Sequence, residues 1–245
     1  MSLTYAQFHA LFVVPPAAGL WFAVRRRSTA RAPWRPRPAA VALLSVIALA
    51  YTTPWDNYLI EQGVWWYGEG RVAATLWRAP VEEYLFIALQ PVVAGLWLHF
   101  LPTPAVLPST LPAASARSRA AGVAAGLAVG TGGLSLCLLS IPSTYYLGAI
   151  LAWSGPVLAL QWGVGWHVLW RLRRTVALGV LVPSAYLWVA DAIAIDRGVW
   201  IVAERYTIGA AVGGLPVEEA VFFVATNLFV VQGLVLFDWV VARWQ

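Results

Sequence analysis

Residues 51–65 read YTTPWDNYLIEQGVW, and residues 186–200 read YLWVADAIAIDRGVW. Tyr51, Asp56, Glu61 and Gly63-Val64-Trp65 match Tyr186, Asp191, Asp196 and Gly198-Val199-Trp200 at an offset of 135. Each copy is followed by the same four residues, Pro80-Val81-Glu82-Glu83 and Pro216-Val217-Glu218-Glu219, at an offset of 136. The second copy therefore carries one inserted residue between its two motifs. Upstream, Pro15-Pro16 and Gly155-Pro156 fall at similar depths in two apolar stretches. This spacing describes an internal repeat.

The repeats are embedded in apolar sequence. Of 245 residues, 60% are hydrophobic and 11% are charged, against about 25% charged in soluble domains. A membrane-spanning helix needs roughly 20 apolar residues. Seven stretches qualify: Leu3–Val24, Pro38–Tyr58, Pro80–Leu101, Ala120–Ile141, Thr144–Leu169, Val176–Ile195 and Leu215–Leu236. The expected fold is an all-α integral membrane protein with seven transmembrane helices, arranged as two parallel three-helix repeats joined by a linker helix. Residues 1–101 form the first repeat, 102–143 the linker loop and helix, and 144–245 the second repeat. A single linker helix restores the orientation, so the repeats are parallel about an axis along the membrane normal. The Pro-, Ser- and Ala-rich stretch Pro102–Arg119 is the expected linker loop.

Charge tests the count of spans. Arg25, Arg26, Arg27, Arg31, Arg35, Arg37, Arg117, Arg119, Arg171, Arg173, Arg174 and Arg243 fall on one side of a seven-span chain. Arg71, Arg78, Arg197 and Arg205 fall on the other. The positive-inside rule then places the N-terminus outside a cell (plasma) membrane and the C-terminus in the cytoplasm. The first span has its Arg cluster after it, the reverse of a cleaved signal peptide. Ten of the eleven acids lie in or beside the two outer loops, and Asp238 alone lies near the cytoplasmic end.

Several chemistries are excluded. All 16 basic residues are Arg, so no lysine amine exists for a Schiff base or a Walker-type phosphate loop. Cys137 is the single cysteine, and His9, His99 and His167 are far apart, so no metal-ligand spacing appears. Gly130-Thr131-Gly132-Gly133 lacks the spacing of a dinucleotide site and lies within a span. No cofactor, no metal and no nucleic-acid partner is expected; the net charge of +5 reports topology.

What remains is carboxylate chemistry. Each acidic pair opens a span, where two Glu also suit the helix dipole. Two successive residues are about 100° apart on a helix, so at least one Glu of each pair faces the bundle interior. Asp56 and Asp191 lie near the outer end of the preceding spans, within range of these pairs. Carboxylates crowded out of water titrate as a coupled set, so an acid and a base can stand side by side. The candidate catalytic residues are Glu82, Glu83, Glu218, Glu219, Asp56 and Asp191. Most of the 15 Trp suit an aromatic belt at the membrane interfaces. Trp65, Trp66, Trp77 and Trp200 flank the acidic motifs and are candidate substrate-binding residues, since an aromatic face stabilises a cationic intermediate.

The doubled Pro-x-Glu-Glu motif, with its upstream Asp and Gly-Val-Trp, resembles the integral-membrane lycopene β-cyclase family. The resemblance runs from the first span to the seventh. It looks like the fused form of the paired bacterial subunits, and like the cyclase part of fungal bifunctional cyclase/phytoene synthases without the synthase domain. It implies proton-initiated closure of the linear end group of lycopene, or of another linear carotene, to a β-ionone ring. This is a redox-neutral isomerisation. It also implies contact with membrane lipid and with other carotenoid-pathway enzymes. The alternatives are a small-solute transporter of three-one-three topology, a carotenoid end-group hydratase, and an assembly protein.

Overall fold

In the computed structural model, residues 3–26, 36–101 and 108–244 are described. Arg27, Arg31, Arg35 and the linker positions 102–107 lie outside the described residues. Seven long helices follow one another: α1 (Tyr5–Arg26), α2 (Pro38–Glu61), α3 (Val81–Leu98), α4 (Ala116–Leu138), α5 (Tyr145–Arg171), α6 (Arg173–Asp196) and α7 (Val217–Trp244). All seven are long and apolar enough to cross a membrane. α7 is the central post: Val231 and Val235 on it are fully buried, packed with Leu98 of α3, Val168 of α5 and Val180 of α6.

Contacts at the two ends show which helix termini lie together. At one end, the Tyr5 amide donates to the Arg71 carbonyl (2.8 Å), joining the start of α1 to the segment after α2. At the other, Arg37 Nε meets Asp238 Oδ1 at 2.9 Å, tying the start of α2 to the end of α7. Asp238 is thus neutralised at the Arg-rich end.

The repeat is visible in the backbone pairing. β1 (Trp65–Tyr67) pairs antiparallel with β4 (Trp200–Val202), with Trp66 opposite Ile201. Residues 66 and 201 are themselves repeat partners, so the pseudo-two-fold axis passes between them. The flanking bonds, Gly68 amide to Val199 carbonyl (3.1 Å) and Ala203 amide to Val64 carbonyl (2.8 Å), are counterparts. The Tyr51 hydroxyl donates to the Trp153 carbonyl (2.7 Å), and the Tyr186 hydroxyl to the Phe12 carbonyl (3.0 Å). Each half thereby binds the opening helix of the other.

Short hairpins precede the acidic helices: β2 (Thr75–Leu76) with β3 (Ala79–Pro80), and β5 (Ala211–Val212) with β6 (Leu215–Pro216). Pro80 is extended and caps α3 rather than opening it (φ −70°, ψ 156°). The Val81 amide donates to the Ala74 carbonyl, and the Val217 amide to the Ala210 carbonyl. Those bonds locate the inserted residue of the second repeat at Gly209, whose φ of +78° suits glycine.

α4 lies against α5 with glycine at the centre of the contact. Its buried residues are Gly122, Gly126, Gly130 and Gly133. A Cβ at Gly126 would stand 2.2 Å from the Ala159 nitrogen, and one at Gly133 2.2 Å from the Ala152 nitrogen. In lipid, where helices gain no hydrophobic drive to associate, small residues let backbones approach closely. Gly130 and Gly133 of the rejected dinucleotide motif belong to this seam. Leu127, Leu134 and Leu138 point away and are exposed.

Candidate active site

The second Glu of each pair and the first differ in what they hold. Glu82 Oε1 accepts the Ala73 amide (2.8 Å), and Glu218 Oε1 accepts the Ile208 amide (2.7 Å). Residues 73 and 208 are repeat partners, so both first Glu pin the same loop to the head of a helix. Glu83 Oε2 accepts the hydroxyls of Tyr5 (2.8 Å) and Tyr67 (2.9 Å). Glu219 Oε1 accepts the Tyr146 hydroxyl (2.8 Å). One helical step of about 100° separates a loop anchor from a group facing inward.

Glu83 and Glu219 meet Asp56 and Asp191 in one cavity of ≈ 50 Å³. The remaining lining is entirely aromatic. Five pairs of lining residues are repeat partners: Asp56/Asp191, Trp65/Trp200, Glu83/Glu219, Phe86/Phe222 and Tyr5/Tyr146. Phe8, Tyr67 and Phe223 break the symmetry. No basic side chain lines the cavity among the described residues. Asp56 Oδ2 and Asp191 Oδ2 are buried without a hydrogen-bond partner. A native protein leaves few buried polar atoms unpaired, and within the cavity these two oxygens are open to a reacting group; the unpaired Oε2 atoms of Glu82 and Glu218 lie outside it.

Aromatic side chains orient the acids. Trp200 Nε1 donates to Asp191 Oδ1 at 2.8 Å. Trp65 Nε1 donates to the Tyr67 hydroxyl at 3.4 Å, and that hydroxyl in turn donates to Glu83 Oε2. Burial first, and then the Glu83 carboxylate, push the Tyr67 phenol well above its ordinary pKa. Tyr67 therefore stays protonated and remains a donor.

Of the ten candidate residues, the cavity gathers six: Asp56, Glu83, Asp191, Glu219, Trp65 and Trp200. Glu82 and Glu218 are buried but turned to the loops. Trp66 lies outside the cavity and is 48% exposed, because side chains alternate along a strand and its neighbours Trp65 and Tyr67 point inward. Trp77 also lies outside, 64% exposed in the turn between β2 and β3, at a φ of +64°.

Sequence reasoning missed the tyrosines and phenylalanines. Phe86 and Phe222 carried a signal: each stands three residues after the inward Glu, on the same helix face. Tyr5 and Tyr146 were masked by register. Tyr5 precedes Pro16 by eleven residues and Tyr146 precedes Pro156 by ten. A π-helical turn over His9–Val13 absorbs the extra residue and brings the two tyrosines to equivalent places.

The family model described as lycopene cyclase matches residues 4–101 and 143–237. A lycopene beta-cyclase of Halobacterium salinarum is 49% identical over 248 residues, covering 100% of both chains. A bifunctional lycopene cyclase/phytoene synthase of Sporisorium reilianum is 34% identical, over 98% of this chain and 36% of its own length. A protein of the same description from Aspergillus niger is 32% identical, over 97% of this chain and 40% of its own length. No solved structure matches the chain. The chain belongs to the lycopene cyclase family.

Proposed function

We propose that the chain is a lycopene β-cyclase whose four inward carboxyls start and end the ring closure. The observation that carries this reading is the cavity itself: Asp56, Glu83, Asp191 and Glu219 walled by aromatic rings, with no cation in its lining among the described residues. Carboxyls that share one desolvated cavity titrate as a coupled set, so a proton donor and a proton acceptor can stand side by side there. A protonated carboxyl delivers its proton to the terminal double bond of the linear end group. The tertiary cation that forms is attacked by the next double bond in reach, closing a six-membered ring. An ionised carboxyl then takes a proton from the ring carbon beside the new cation, leaving the ring double bond. One proton enters and one leaves, so the product is an isomer of the substrate and no electrons are exchanged.

The aromatic walls serve the cation. A desolvated cation over an aromatic face gains about 2 kcal/mol, and Phe86 and Phe222 offer such faces beside Glu83. Exclusion of water keeps the cation from being hydrated. The hydroxyl donors Tyr5, Tyr67 and Tyr146 hold the Glu side chains in place.

The functional test is expression in cells that accumulate lycopene, followed by pigment analysis. The expected result is conversion of lycopene to monocyclic or dicyclic β-ring carotenes. Hydroxylated acyclic pigment would instead identify a hydratase, and unchanged lycopene with measurable solute flux would identify a carrier. Purified protein stripped of pigment and small molecules is expected to turn over without added flavin or nicotinamide. Strict dependence on a reduced cofactor would contradict the redox-neutral scheme.

We further propose that the chain lies in the plasma membrane with its N-terminus outside, that residues 102–143 are the linker between repeats, and that the acid cavity lies toward the outer face. The Arg distribution supports this orientation. In a Cys137→Ser background, Arg71→Cys is expected to react with an impermeant maleimide from outside intact cells. Arg117→Cys is expected to react only after permeabilisation. Labelling of both from the same side would contradict the topology.

A further inference from the structure

Two larger apolar grooves flank the acid cavity, and the repeat relates them. One, ≈ 330 Å³, runs between α2, α3, α5 and α7. The other, ≈ 370 Å³, is lined chiefly by α1, α3 and α6. Tyr51, Trp153 and Leu160 of the first correspond to Tyr186, Phe12 and Leu20 of the second. The two differ where they approach the acids. The first groove shares Glu83, Phe86 and Phe222 with the acid cavity. The second shares Phe86 alone, and Glu219, the counterpart of Glu83, does not line it.

Size decides where an end group can lie. An apolar cavity of roughly 150 Å³ holds a benzene molecule, so an isoprenoid end group does not fit into ≈ 50 Å³ beside four carboxyls. The first groove has the volume, and Glu83 stands in its wall. Trp153 presents a flat wall, stacked on Phe222 at 6.1 Å and 29°. Ile47 and Leu160, also in its lining, are 49% and 67% exposed, so the groove opens sideways toward lipid. Gln90 lines both grooves, and its Nε2 donates to Asn227 Oδ1 (2.9 Å) across the partition between them.

We infer that the groove between α2, α3, α5 and α7 is the carotene-binding site, that its occupant is a linear polyene arriving from the bilayer with its end group against Glu83, and that the pseudo-equivalent groove takes no part in cyclisation. This rests on the cyclase reading above. It makes Glu83, rather than Glu219, the carboxyl that touches the substrate: Glu83 delivers the first proton and, once ionised, takes the last, while Asp56, Asp191 and Glu219 act through it. It also makes Tyr51, Trp153 and Phe229 specificity-determining residues.

The test fills each groove in turn. Ala48→Phe and Val157→Phe place a ring in the first groove; Gly19→Phe and Val93→Phe place one in the second. A Cβ at Gly19 meets nothing within 4 Å, so that variant is expected to fold. Wild-type cyclisation of lycopene in proteoliposomes establishes the parent reading independently. Given that activity, both first-groove variants are expected to lose about tenfold or more in kcat/KM, the lower end of what one misplaced methylene costs in an apolar site. Both second-groove variants are expected to stay within about twofold of wild type. Equal losses on the two sides, or losses confined to the second groove, would overturn the assignment. A binding measurement covers variants that turn over poorly for other reasons. Glu83→Gln, purified from lycopene-accumulating cells, is expected to carry bound lycopene. Adding Ala48→Phe should remove that pigment and adding Gly19→Phe should not; the opposite pattern would overturn the inference.

Discussion

Glu83→Gln is expected to abolish ring formation while leaving the protein folded. Glutamine keeps the side chain's length and can still accept hydrogen bonds from Tyr5 and Tyr67, but it neither delivers nor takes a proton. General acid–base groups contribute roughly 10²–10⁴-fold in rate, so residual turnover should fall by at least the lower figure. Glu219→Gln should also slow the reaction, since Glu219 lines the same cavity. Glu82→Gln and Glu218→Gln should behave differently. Their amide oxygens can still accept from Ala73 and Ile208, so turnover should stay near wild type. Glu82→Ala removes that acceptor and leaves a loop amide unpaired, costing about 1–3 kcal/mol. Its effect should appear as a lowered Tm with near-normal turnover per folded molecule. An active Glu83→Gln beside an inactive Glu82→Gln would reverse the roles assigned to the two members of the pair.

Gly126→Leu is expected to separate α4 from α5 and to remove most folded protein from the membrane. The first atom added would stand 2.2 Å from the Ala159 nitrogen and 2.4 Å from its Cα, and neither helix backbone can yield locally. Overpacking a tight contact commonly costs about 1–3 kcal/mol, and here three further carbons follow the Cβ. Gly132→Leu is the matched control: on the same helix, a Cβ there meets nothing within 4 Å. Leucine also favours the helix over glycine. Detergent-solubilised Gly126→Leu should run aggregated or poorly yielded on size exclusion, and Gly132→Leu should run as wild type. Equal behaviour of the two would contradict the glycine seam.

The spans are legible because roughly 20 apolar residues in a row have few other uses, and the helices begin and end within about four residues of the expected limits, except that α7 runs on from Leu236 to Trp244. The doubled motif exposed the repeat, and with it the acids. What the sequence hid was direction. Helical geometry requires one Glu of each pair to face inward, but which one depends on where the loop amides of Ala73 and Ile208 come to rest. Trp66 and Trp77 adjoin the motifs in sequence, yet strand alternation and a left-handed turn carry them outward. Tyr5 and Tyr146 were concealed by one residue of register, spent in a π turn that leaves no mark in the apolar pattern. The four-acid cavity is built from both halves, so no single stretch of sequence describes it.

The most direct measurement of the central claim is the origin of the proton that starts the ring. Enzyme equilibrated in D₂O, held in excess over lycopene and quenched after one turnover, delivers whatever its carboxyls carry. The account predicts one deuterium in the product for each ring formed, none in recovered lycopene, and no ring at all with Glu83→Gln. Cyclic product free of deuterium from fully exchanged enzyme would contradict it.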